Sequence, residues 1–183
     1  MGLAISVAPS LRGVVMLCLL LAGPPGWADW RSELPQAALV GQGDFTWFGL
    51  QVYQARLWTP AATVSWEQPF ALELTYRREI SRDTLVQASL DEMRRLGGPS
   101  VDDAQLAAWS NELRRAFVDV QPGQRITGLY LPGQGSRFYV DDTFHHAVSD
   151  ATLSRAFFAI WLDTRTRNPE LRRELLGLDT KTP

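Results

Sequence analysis

Lysine and cysteine are all but missing from this chain, which carries one of each, Lys181 and Cys18. A lone cysteine excludes a disulfide framework. Histidine is nearly as scarce: His145 and His146 are the only two. Adjacent residues on a strand point to opposite faces, so a metal site would need carboxylates from Asp141, Asp142 or Asp150. An ordinary exposed pair is the simpler account, and no metal or cofactor is expected. An excess of positive charge is also lacking, with a formal net charge of −2, so nothing favours a nucleic-acid surface. The near-exclusive use of arginine reads as composition bias on a solvated surface.

What is present begins with an export signal. Arg12 precedes the apolar run Val14 to Ala22, and the small residues Gly26 and Ala28 stand before Asp29. That order predicts a secretory leader over residues 1–28, cut after Ala28. The apolar run is too short for a membrane span, and residues 29–183 then form one domain of periplasmic or secreted location, with no integral membrane segment. Cys18 and Arg12 leave with the leader, giving a net charge of about −3.

Val40 to Trp58 reads as a glycine-punctuated turn at Gly41 and Gly43 running into one long strand, Phe45 to Trp58. Phe48, Leu50, Val52 and Trp58 would share one face, and Phe45, Trp47, Tyr53 and Leu57 the other. In Phe70 to Arg77, Phe70, Leu72, Leu74 and Tyr76 alternate with Ala71, Glu73, Thr75 and Arg77, predicting a strand with one buried face. Ser81 or Asp83 starts a helix that Gly97 and Gly98 stop. Ser100 with Asp103 forms a capping box for a second helix carrying Leu106, Trp109, Leu113 and Phe117. Arg125 to Leu131 and Ser136 to Asp141 flank a turn as a hairpin, and Phe144 to Ser149 adds a short strand. Asp150 caps a third helix, and Asn168 with Pro169 opens a fourth that Gly177 closes. Strands, a helix pair, a hairpin and further helices predict an α+β fold: a mainly antiparallel sheet with helices layered on one face.

Gly41, Gly43, Val52, Tyr53, Ala55, Leu57 and Trp58 stand in an order that resembles the chalcone isomerase-like family, including its bacterial exported branch. The likeness continues through MRRLG at Met93 to Gly97, the run Val120 to Val140, and Leu153 to Leu176. It implies an open-faced sandwich. In the family's true isomerases an arginine holds a phenolate while tyrosine, threonine, asparagine and a serine or threonine supply hydrogen bonds to the developing enolate, which needs preorganised donors. The resemblance puts Phe45 in the arginine's place, Phe48 in the threonine's, Ser81 near the tyrosine's, Ala88 in the asparagine's and Ile160 in the last. Arg56 is eleven positions farther along the same strand, about 36 Å at extended rise, too far to replace the lost cation unless the strand bends sharply. Isomerase activity is therefore not expected, and no catalytic residues are assigned.

Other motifs reduce to structure. Ser136 and Ser149 lack an acyl-transfer setting, and Gly133-Gln134-Gly135 reads as a hairpin turn, since no helix start with Lys-Ser/Thr follows. The aromatic stripe, with Tyr53, Tyr76, Trp109, Tyr130 and Trp161 among its members, suits a core. A cleft lined by part of it would suit an apolar ligand. Ligand-binding candidates are Phe45, Phe48, Leu50, Val52, Ala88, Phe157 and Ile160, around a small apolar or amphipathic molecule. Fatty-acid-binding relatives hold a carboxylate with arginine and tyrosine, and Phe45 in the arginine's place means a fatty acid is not specifically implied. The rival expectation is an envelope interaction protein whose cleft is filled by its own side chains.

Overall fold

The computed structural model describes residues 29–178. The expected leader and cut site lie outside them. Alternation of apolar residues produces six strands that follow one another in space as in sequence: β1 (Ala38–Trp47), β2 (Leu50–Thr59), β3 (Phe70–Tyr76), β4 (Arg125–Leu131), β5 (Gly135–Val140) and β6 (Thr143–Val148). Every neighbouring pair is antiparallel. The β3–β4 connection carries α2 (Arg82–Gly97) and α3 (Asp103–Ala116), and α4 (Ala151–Leu162) and α5 (Pro169–Leu175) follow β6. These helices bury their apolar stripes against Ala55, Leu57, Phe70, Leu72, Leu74, Ile126, Tyr130 and Phe138 on one sheet face. This is the expected α+β open sheet.

Helix starts follow from side-chain oxygens that take otherwise unpaired backbone N–H groups. Ser81 accepts from Thr84 N, Asp150 from Thr152 N and Leu153 N, and Asn168 from Leu171 N. For α3 the capping residue is Asp102, which accepts from Gln105 N at 2.7 Å, and not Ser100. Ser100 instead ends a 3-10 turn after Gly97. Asp is as strong a cap as Ser, so the pattern admits both starts.

The expected long strand is a hairpin. Phe48 and Gly49 adopt φ of 46° and 75°, and positive φ at both central residues of a two-residue turn matches the twist of the strands on either side. Gly41 and Gly43 lie inside β1, not in a turn. A Cβ on Gly41 would stand 2.0 Å from the Glu174 carbonyl oxygen, and one on Gly43 1.9 Å from Glu174 Oε2. Gly41 thus lets the backbone of α5 press directly on β1, and Gly43 makes room for the Glu174 and Leu171 side chains. Their role is close approach.

The second sheet face is covered too, which the alternation in β3 concealed. A four-residue helix, α1 (Trp30–Glu33), lies there with Trp30 fully buried among Leu34, Ala71, Leu129 and Tyr139. Glu33 is ion-paired to Arg137 and accepts from the Tyr139 hydroxyl. Beneath α1, Glu73 is only 1% exposed. Its carboxylate faces Arg56 Nη1 at 3.5 Å and Arg31 Nη2 at 3.7 Å, ion-paired but without a hydrogen bond among the described residues. Arg31 also lies over the Trp30 ring, 4.4 Å from its centroid.

Candidate ligand-binding site

Register across β1, β2 and β3 builds an aromatic ladder on the helix-facing side. Phe45 pairs with Tyr53, and Tyr53 with Tyr76. The first two rings stack at 5.0 Å, and the second pair meets edge-on at 5.9 Å. From α4, the Trp161 Nε1 donates to the Tyr53 hydroxyl at 3.0 Å, and Trp161 packs on Phe157 at 5.2 Å. Phe45, Tyr53 and Ile160 are partly buried at the rim of this core. Burial pushes the Tyr53 and Tyr76 hydroxyls far above the usual phenol range, with the Trp161 hydrogen bond opposing it only in part for Tyr53. Both stay protonated at neutral pH. The ladder can therefore offer apolar area and neutral hydrogen-bonding groups, and neither tyrosine is poised as a base.

The seven candidate residues are not brought together. Phe45, Phe157 and Ile160 lie on the helix side of the sheet, with Phe157 inside the core at 5% exposure against Phe117, Phe138 and Phe158. Phe48 is in the hairpin turn, not on a strand face with Leu50 and Val52. Tyr53, Ala55 and Leu57 face the helices while Trp58 packs under α1; Val52 is left unpaired by a register shift, and Leu50 pairs with Trp47 at the exposed end of the hairpin. Ala88 is exposed on α2. The physical cause is the turn at Phe48-Gly49 together with a bulge between Phe45 and Thr46, which shifts the alternation. Conversely, the chain does bend sharply, bringing Arg56 opposite Gln42. Its guanidinium nonetheless serves Glu73 on the other face.

Tyr53, Tyr76 and Trp161 were legible only as members of the aromatic stripe. The available signal was a pair of hydroxyl-bearing rings on otherwise aliphatic buried faces. Two surface depressions, of about 240 and 280 Å³, lie elsewhere: one between α2 and α3 at Leu90, Asp91, Arg94 and Asp103, the other by Trp66, Arg155, Asp163 and Arg172. His146 Nε2 lies 3.4 Å from Glu112 Oε2, and no metal-ligating cluster occurs among the described residues. No described helix is long and apolar enough to cross a membrane.

Residues 36–177 match the chalcone isomerase-like family. The chain belongs to that family. This chalcone isomerase-like protein is 26% identical over 165 residues to an uncharacterized protein of Haemophilus influenzae, covering 90% of this chain and 75% of that protein. Its fold is similar to the crystal structure of an Arabidopsis thaliana fatty-acid binding protein, with a TM-score of 0.60 and 12% identity over 79% of this chain and 88% of the other. At that identity the likeness concerns the fold, and it agrees with the six-stranded antiparallel sheet and its helices.

Proposed function

We propose that this chalcone isomerase-like protein is an exported, non-catalytic member of the family's bacterial branch that binds a small apolar or weakly amphipathic molecule where the hairpin meets α4. The observation that carries this reading is the stacked Phe45–Tyr53 pair, only partly buried, which the Tyr53–Trp161 hydrogen bond joins to α4, where the neighbouring Ile160 is partly buried too. A fatty-acid binding protein of similar fold lends support. Phe45, Phe48, Ala88 and Ile160 at the polar positions of the isomerases argue against cyclisation, and a hydroxychalcone incubated with the protein should close only at the spontaneous rate. Export with residues 29–183 as the mature domain predicts Asp29 as the first residue found by N-terminal sequencing of the envelope fraction. An intact Met1 on membrane-bound protein would contradict it.

Because Ala88 is exposed, bulk at that position would not fill the site; Ile160→Trp is the informative change. Covering about 100 Å² of apolar ligand surface is worth ~2.5 kcal/mol before ordering costs, so Ile160→Trp should weaken binding of an environment-sensitive apolar dye by about tenfold or more. Extraction of the purified protein followed by mass spectrometry should also release a bound apolar molecule. A second reading, an envelope interaction protein with a filled cleft, is favoured by the packing of Phe157, Phe158 and Phe138. A folded Ile160→Trp variant that binds the dye like wild type would decide for it.

A further inference from the structure

The tip of the β1–β2 hairpin displays what most proteins hide. Trp47 is 57% exposed, Phe48 88% and Leu50 53%, and the Trp47 and Phe48 rings meet edge-on at 5.0 Å. Large apolar side chains grouped at one protruding point mark a contact surface. The turn chemistry sharpens this. Its first central position needs φ above zero, where Asn, Asp or Gly is normal, yet Phe48 holds a φ of 46° there. A bulky ring in that conformation is strained, and strain at an exposed turn directs attention to what the ring does outside the fold.

Charge beside the tip indicates its partner. Arg77 N donates to Val52 O, which sets the Arg77-Arg78 pair level with the start of β2. Both arginines are exposed, and among the described residues neither side chain has an ion-pair or hydrogen-bond partner. The nearby carboxylates are Glu79, next in sequence, and Asp44, across from Gln54 on β1. Tryptophan and phenylalanine favour the headgroup–acyl boundary of a bilayer, and unpaired arginines are drawn to anionic headgroups. We infer that the hairpin tip docks on an anionic phospholipid bilayer, with Trp47, Phe48 and Leu50 inserted at the interface and Arg77 and Arg78 on the headgroups. This goes beyond the ligand reading and does not depend on it, since a protein with a filled cleft would dock equally well.

Vesicle flotation tests the inference, using the chain from Asp29 onward, which holds every described element, and vesicles of phosphatidylcholine alone or mixed equally with phosphatidylglycerol. The wild type should float with the anionic vesicles. Trp47→Ser with Phe48→Ser should weaken binding by about tenfold or more, because each aromatic ring carries a large share of the insertable apolar area. The double variant should keep the wild-type circular dichroism spectrum, since both residues are exposed. Arg77→Gln with Arg78→Gln should bind the two vesicle types alike and lose sensitivity to salt. No flotation of wild type, or unchanged flotation of the Trp47/Phe48 variant, would overturn the inference. So would a dimer in sedimentation velocity that the same variant abolishes without any vesicle binding, because the tip would then serve a second copy.

Discussion

Gly41→Val should lower the unfolding free energy by about 3–5 kcal/mol, as expected if two buried leucines lose their seat. The Cβ would stand 2.0 Å from the Glu174 carbonyl oxygen and 2.7 Å from that of Leu175, and a backbone cannot yield there without undocking the helix. Leu171 and Leu175, 3% and 0% exposed, would then lose their burial together. Gly43→Ala meets the ends of two side chains instead, Glu174 Oε2 and Leu171 Cδ1, which can rotate away, so its effect should be distinctly smaller. Urea denaturation gives both values. Hydrogen exchange should show α5 exchanging early in the Gly41 variant. Equal losses at the two positions would show that chain flexibility, and not the approach of the helix, explains the glycines.

The second large effect concerns the carboxylate under α1. Removing one partner of a buried ion pair leaves an uncompensated charge, whereas replacing the charge itself with an apolar residue is often neutral or stabilising. Arg56→Met leaves Glu73 with only the 3.7 Å contact to Arg31, and should cost about 1–3 kcal/mol, reduced from the fully buried case because Arg56 is 38% exposed. Glu73→Leu alone should be neutral or stabilising, and in the Arg56→Met background it should restore most of the loss. A cycle of the two single variants and the double, measured by chemical denaturation, supplies the coupling. A loss of more than about 2 kcal/mol for Glu73→Leu would mean that attraction to the two arginines outweighs the cost of dehydrating the carboxylate.

These two sites mark where the sequence speaks and where it is silent. Local chemistry made β3, β4, β5, α2, α4 and α5 readable, because alternation, the caps Ser81, Asp150 and Asn168, and Gly177 act within a few residues. The hairpin is invisible to hydrophobic patterning because Phe48 occupies a turn position that chemistry usually gives to Asn or Gly, so the apolar run continues through the turn without a break. Glu73 alternates like a residue of a wetted face because its cover, α1, is short and distant in sequence. Three of the seven candidate residues, Phe48, Leu50 and Val52, lie at this turn or just beyond it. A one-residue bulge and a turn decide which side of the sheet Leu50 and Val52 occupy, and neither leaves a mark in hydrophobic periodicity.

The Trp161–Tyr53 hydrogen bond joins residues 108 positions apart, and α5 reaches β1 from later still. At ordinary rates of synthesis, about 5–20 residues per second, the first hairpin waits roughly 5–20 seconds after leaving the ribosome before α4 exists to cover it. During that interval Tyr53 lacks its Trp161 partner and β1 lacks α5. Chaperone occupancy along the nascent chain should therefore rise soon after β2 emerges and fall only once α4 and α5 are clear, so this protein's schedule of folding is set by its last helices.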